Sequence, residues 1–301
     1  MRKNRYRKLR RKKKKSMRIN LCLAGLCLLA ASSARAQNSG WEGETGVFIT
    51  PMAYTAPSTA DGFGLPVVAY HYLYGGKVLG DFHEISITGG AFQRWEFGYT
   101  RAFHEQGSVQ SLSPLWHNGY NIFHSKFTIL PENASKKAWV PAIAVGFILR
   151  TQVHDVGAAI LNKNVNDGDV YLVATKTITQ SKKVPIILSG GIRGTNAELW
   201  GMGGNTPNFQ ERAFGAVGFV FKGPAHTSFI LASEFSQQPR HPSELPTAII
   251  PTTITYAIRF VPTPEHKINF DFGVAQIAGQ IAPGINLQAR SQVAAQVSYG
   301  F

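Results

Sequence analysis

Cysteine is scarce in this 301-residue sequence: Cys22 and Cys27 are the only two, and both lie near the N-terminus. The chain after them can form no disulfide and offers no thiolate to a metal. Leu21 and Leu26 precede the two cysteines, where a lipoprotein anchor would need a small residue. Long apolar runs are also lacking. From residue 37 onward none reaches the ~18 uninterrupted residues of a spanning helix. Acidic residues are missing in one place: residues 1–36 hold 13 of the 31 Lys and Arg and no Asp or Glu. Residues 37–301 then carry 18 basic and 17 acidic residues, a net of +1. The formal charge of +14 therefore belongs to a leader, and nucleic acid is not expected as a partner of the body.

The leader has the three parts of a secretory signal. A cationic stretch runs to Arg18, an apolar stretch follows from Ile19 to Ala31, and Ala34-Arg35-Ala36 forms an A-x-A cleavage pattern. Cleavage there makes Gln37 the first mature residue. Met17 offers an alternative start that leaves a shorter leader. The run Lys12 to Lys15 read as a nucleic-acid arm is the weaker alternative.

What the body does contain is alternation. Trp95, Phe97 and Tyr99 fall on one face of a strand, and Arg94, Glu96, Gly98 and Thr100 on the other. Ile254, Tyr256, Ile258 and Phe260 oppose Thr253, Thr255, Ala257 and Arg259; Ile268, Phe270, Phe272 and Val274 oppose Lys267, Asn269, Asp271 and Gly273. Twelve such runs are expected, at 65–73, 82–89, 93–103, 119–130, 138–150, 168–178, 184–193, 213–222, 226–236, 250–261, 267–277 and 287–301, with ten or fourteen as the outer bounds. Short gaps (90–92, 131–137, 179–183, 223–225, 262–266) alternate with long ones (104–118, 151–167, 194–212, 237–249, 278–286). That habit belongs to outer-membrane barrels. Hydrocarbon offers no water to backbone groups, so strands span only as a closed sheet. The expected fold is thus all-β: a transmembrane antiparallel up-and-down barrel over residues 65–301. Val293, Ala295, Val297, Tyr299 and Phe301 share a face of the last run, and Val297, Tyr299 and Phe301 are expected to be read by the barrel-assembly machinery. Residues 37–64 stand apart, as a periplasmic arm or a plug in the lumen, with Ala56-Pro57-Ser58-Thr59 as linker.

Tyr70-His71-Tyr72-Leu73, Glu96-Phe97-Gly98-Tyr99-Thr100-Arg101, Leu112-Ser113-Pro114-Leu115-Trp116, Ala213-Phe214-Gly215-Ala216-Val217 and Phe272-Gly273-Val274-Ala275-Gln276-Ile277-Ala278-Gly279 carry a resemblance. They are similar to a bacterial family catalogued as a domain of unknown function, whose members resemble outer-membrane proteins. The likeness covers most of 44–301. It implies barrel form and location and supplies no catalytic or binding residues.

Alternation points Arg94, Glu96, His124, Lys126, Lys176, Arg193, Glu234, Arg259 and Asp271 into the lumen, along with small Ala142, Ala144, Gly146, Ala174, Ala216 and Gly218. A charge facing lipid at mid-depth costs about 2–4 kcal/mol, which favours the inward assignment. Arg259 and Asp271 are expected near each other diagonally, as a wall-steadying bridge or a selective constriction. The 104–118 loop holds His104, Glu105, Ser111, Ser113, Trp116 and His117, but the chain has no G-x-S-x-G, no H-E-x-x-H and no i, i+4 histidine pair. Gly201-Met202-Gly203-Gly204-Asn205 lacks the Lys-Ser/Thr of a phosphate cradle, and Asn133-Ala134-Ser135 is a glycosylation triplet without meaning in a bacterium. No catalytic residue, metal or cofactor is expected. The expected partners are outer-membrane lipid and lipopolysaccharide, the assembly machinery and a small solute. The leading functional expectation is a passive pore or transporter. A structural or secretion-accessory barrel plugged by its N-terminal segment is one alternative, and a lipid-modifying enzyme another.

Overall fold

The computed structural model describes residues 39–108, 116–179, 184–197, 205–238, 247–262 and 267–301, with backbone alone at 205–207. The leader, with Ala34, Ala36 and Gln37, lies outside them, as do Ser111, Ser113 and the stretch Gly201–Gly204.

Twelve antiparallel strands close into a barrel. In chain order they are β1 (Val67–Tyr74), β2 (Gly80–Ala91), β3 (Trp95–Gln106), β4 (Tyr120–Leu130), β5 (Ala142–Gln152), β6 (Asp167–Ile178), β7 (Ile186–Ala197), β8 (Asn205–Lys222), β9 (Ser228–Ser236), β10 (Thr253–Val261) and β11 (Ile268–Gln276), then β14 (Gln292–Gly300). Each pairs with its neighbour in sequence, β11 pairs with β14, and β14 closes the ring on β1 from Val67↔Gly300 to Leu73↔Ala294. Every expected run corresponds to one of these strands. The run expected at 287–301 is broken, however. A hairpin of β12 (Ala278–Ala282) and β13 (Ile285–Ala289) precedes β14, and Gln288 has a left-handed φ of 52°. The expected long loop at 194–212 is mostly strand, because β7 and β8 stay paired out to Ala197↔Asn205.

The faces follow the pleat. On β5, Val145, Phe147 and Leu149 are exposed, while Ala142, Ala144, Gly146, Ile148 and Arg150 are buried. On β3 the exposed Trp95 and Phe97 alternate with buried Glu96 and Thr100. Phe229, Phe260 and Phe270 form an aromatic row across three strands, with ring centroids 5.0 and 6.5 Å apart. Apolar side chains therefore cover the outside and polar ones fill the inside, the reverse of a water-soluble core.

Two turn types join the strands. The β2–β3 turn places Phe92 and Gln93 at φ 54° and 56°, the paired left-handed geometry that suits the twist of a hairpin. Neither residue favours it intrinsically, and the preceding segment holds it. Gln93 N–H donates to Ser58 Oγ at 2.8 Å, and the Phe63 ring packs on Phe92 and Phe97. At the opposite end the connections are longer. Helix α1 (Gly76–Leu79), the β12–β13 hairpin and residues 248–250 fold over that mouth, and Val78, Leu79, Phe82, Trp116, Ile250, Ile277, Ile281 and Leu287 share one buried apolar cluster there. This end is the loop side of the barrel. A short helix α2 (Val156–Leu161) lies in the β5–β6 connection.

Candidate functional site

The lumen is occupied by residues 39–56. Their backbone coils tightly on itself: Trp41 N–H donates to Phe48 C=O at 2.6 Å, Val47 N–H to Thr50 C=O at 2.9 Å, and Met52 N–H to Thr45 C=O at 3.0 Å. Among the described residues this segment joins no barrel ladder; its isolated bridges, Ser39↔Thr45 and Gly46↔Pro51, are internal. It is held by side chains reaching from the wall, and several of these are the expected lumen residues.

Glu234, on β9, accepts from three consecutive backbone N–H groups, those of Phe48 (3.3 Å), Ile49 (2.8 Å) and Thr50 (2.9 Å), and from Thr50 Oγ1 at 2.7 Å. Successive N–H groups facing one anion form a nest. Glu96, on β3, accepts from Thr45 N–H (2.9 Å), the Thr45 hydroxyl and Ala56 N–H (2.6 Å). Lys126, opposite it on β4, pairs with Glu96 at 2.8 Å and donates to Thr45 C=O at 2.9 Å. Arg259 binds Asp271 through two bonds of 2.6 and 2.7 Å and donates to Val47 C=O at 2.9 Å. These two residues are direct cross-strand partners, not diagonal ones. The bridge thus steadies the wall and also grips the inner segment. His124 faces the lumen beside Gly43; Thr88 and Thr100 donate to Gly43 and Glu42 carbonyls at 2.6 and 2.7 Å. Arg193 faces inward too, 3.3 Å from Asp169 and over the Phe214 ring.

Two expected lumen residues lie elsewhere. Arg94 precedes the first residue of β3 and is exposed in the turn, its guanidinium 3.4 Å from Ile129 C=O. Lys176 falls on the outer-face register of β6 with the exposed Val170, Leu172 and Ala174, and near the rim it binds Glu132 (3.0 Å) and Asn133 (2.8 Å). Ala174 is likewise on the outside. The inner face of β6 is one residue out of phase with the expected one, and a one-residue shift exchanges the two faces. The inward set is Asp167, Asp169, Tyr171, Val173 and Thr175. Both faces of β6 carry apolar residues, so its pattern gave little contrast.

The true inner face of β6 contributes to the densest ionic group among the described interior residues. Arg150, fully buried on β5, binds Glu42 of the inner segment through two guanidinium nitrogens, and holds Asp167 at 2.7 Å and Asp169 at 2.8 Å. The signal was available, since Arg150 shares the even-numbered face of Ala142, Ala144 and Gly146. Glu44 lies on the inner segment and not on a wall strand. Burial, helped by the charge of Glu42, pushes its carboxyl up to about 7 against the pull of Lys126 and Arg193.

Beside this segment β7–β10 present a smooth wall of Ser189, Ala216, Gly218, Ala232 and Ala257, and a cavity of about 30 Å³ lies between them and Gly46, Val47 and Met52. That volume suits one or two waters.

On the loop side, His104 Nε2 is 2.6 Å from Leu79 C=O and its ring packs at a tilt against Phe82, with centroids 4.5 Å apart. Trp116 is buried against both rings. At the C-terminus Val297 and Tyr299 lie on the outer face, and the Phe301 ring meets Tyr299 edge-on at 5.1 Å. Among the described residues no group of three or more His, Cys, Asp and Glu is placed to hold a metal.

No protein-family model matches the chain, and no curated protein matches it. Among solved structures it is similar to a KdgM porin (10% identity, TM-score 0.45, covering 78% of this chain and 99% of that one). It is also similar to an outer membrane channel from Pseudomonas putida F1 (12% identity, TM-score 0.43, 84% and 99%) and to TodX, a monoaromatic hydrocarbon channel (10% identity, TM-score 0.36, 89% and 98%). These likenesses are distant, and the barrel stands on its own closed strand register.

Proposed function

We propose that this chain is a β-barrel of a Gram-negative outer membrane that admits small solutes, with residues 39–56 as a gate seated in its lumen. One observation carries the reading: the inner segment is held by wall side chains and not by a ladder. A hydrogen bond to a charged partner contributes about 1.5–3 kcal/mol, so a few of them can open and close without breaking the sheet. The cavity along the small-residue wall of β7–β10 marks where the segment has least to displace. The exposed faces of β3, β5 and β6 favour a lipid setting, because so much apolar surface would aggregate in water.

A second reading has its own support. The three consecutive N–H groups on Glu234 are a strong anchorage, as a permanently plugged structural or secretion-accessory barrel would need. Liposome swelling and planar-bilayer recording on the refolded 37–301 chain, with and without residues 39–56, separate the two. Rare steps from the intact chain and persistent steps from the deletion support the gated pore. An intact chain sealed to every solute and a conducting deletion support the permanent plug. A deletion that stays sealed refutes the gate.

A further inference from the structure

We infer that the lumen between the inner segment and the loop-side cap is a binding site for a small organic cation, an alkylammonium held by the Glu84 carboxylate and the rings of Trp41 and Trp116. This deepens the pore reading and depends on it only for the cation's route into the barrel.

The charge is the first ground. Glu42, Glu44, Glu84, Asp167 and Asp169 are all buried in this half of the barrel. Arg150 is committed to Glu42, Asp167 and Asp169, and Arg193 is turned to Asp169. Glu84 and Glu44 form no ion pair with a described residue, although Lys126 and Arg193 lie close enough to act on Glu44. Glu84 Oε2 and Glu44 Oε2 have no hydrogen-bond partner, although both residues are at least nine-tenths buried. A buried carboxylate without a cation is costly. The cross-strand neighbour of Glu84 on β1, His71, also leaves both ring nitrogens without a partner.

The walls are the second ground. Glu84 lines a cavity of about 20 Å³ together with Trp41, Phe82, His104, Trp116 and Tyr120. The Trp41 side chain hydrogen-bonds the Glu84 carboxyl, leaving Oε2 without a partner, and its ring meets His71 edge-on, with centroids 5.9 Å apart. Phe82 and Trp116 are perpendicular at 5.9 Å. Aromatic faces around one carboxylate suit an ammonium, which the ring quadrupoles attract. A metal would instead need several oxygen or nitrogen ligands, and no such group exists among the described residues. Trp116 Nε1–H, buried and without a partner, adds a donor for an oxygen on the same ligand. The cavity is partly open and about the size of one water, enough for the ammonium head.

Ethanolamine carries an ammonium and a hydroxyl, and ethylene glycol is its near-isostere without the charge. Tryptophan emission of the refolded full-length chain is titrated with each, and with sodium chloride. The expected result is a saturable change with ethanolamine alone. Glu84→Gln should raise its midpoint at least about tenfold. Trp116→Phe should weaken ethanolamine but not ethylammonium, which has no oxygen to accept the indole N–H. An equal response to ethylene glycol or sodium chloride would overturn the proposal, as would an unchanged midpoint in a folded Glu84→Gln. If that variant fails to fold, the wild-type contrast between ethanolamine and glycol decides alone. Saturable binding in a sealed barrel would sink the pore and leave the site standing; a conducting barrel without binding would do the reverse.

Discussion

Replacing Glu234 with Gln should loosen the inner segment while leaving the barrel closed. The carboxylate takes four donors: Ile49 N–H on Oε1, and Phe48 N–H, Thr50 N–H and Thr50 Oγ1 on Oε2. A glutamine keeps one acceptor oxygen. With that oxygen in place of Oε2, three bonds survive without the ionic acceptor, each weaker by about 1 kcal/mol. The amide then faces Ile49 N–H, donor against donor, and that group loses its partner at about 1–3 kcal/mol. Relaxation of the threonine hydroxyl recovers part of the loss. The terms sum to about 4–6 kcal/mol and the net after that relaxation is about 3–5 kcal/mol, which multiplies the unseated population by about 150 to 5,000. Amide hydrogen exchange reads this directly. Protection at Phe48, Ile49 and Thr50 should fall by that factor, while mid-strand amides such as Leu172 keep theirs. Single-channel recordings should show a matching rise in brief openings. Unchanged exchange at residues 48–50 in a folded variant would refute the nest as an anchor.

Gly43→Ala should also unseat the segment: a Cβ there meets Thr100 Oγ1 at 2.6 Å and Ser86 Cβ at 2.8 Å, and φ is 92°. More frequent openings are expected, and unaltered conductance and exchange would count against the packing described. Glu44 makes seating depend on pH. Its carboxyl is raised from the usual 4.5 to about 7, so ionisation weakens the seated state: the penalty is absent below about 4.5, grows through 7 and levels off above it. With burial and then Glu42 raising it and Lys126 and Arg193 opposing, the full effect is about 3 kcal/mol at ~1.4 kcal/mol per unit. Openings should rise with pH and flatten in Glu44→Gln; openings that rise on acidification would contradict this. Leu172→Arg, on the exposed face of β6, should cost about 2–4 kcal/mol of folding stability in lipid and almost nothing in a water-soluble barrel. Urea unfolding in bilayers measures it, and no loss would argue against a membrane setting.

The twelve strands were legible because most of them bury one face only. Trp95, Phe97 and Tyr99 against Glu96 and Thr100 give a period of two that nothing else in a chain produces. The β12–β13 hairpin was not legible, because it packs inside the loop-side mouth and its apolar residues merge with those of β14. Lys176 and Ala174 lie on the outer face against expectation, because apolar residues on both faces of β6 leave its phase undetermined in the sequence. Arg94 has the parity of the lumen face but stands outside the strand, and parity carries no information about where a ladder stops.

Sequence alone therefore determined the closed antiparallel sheet and its strand count, since hydropathy period and backbone hydrogen bonding are local properties, but not the inward Glu84, Arg150, Asp167 and Asp169. Tertiary structure alone decided what the inward charges do. Glu96, Glu234, Arg150 and Arg259 serve the backbone and side chains of residues 42–56, which are separated from them by 40 to 212 positions. No local pattern records a contact across such a span. Only closure of the ring brings the walls around the inner segment and turns a row of alternating residues into its seat.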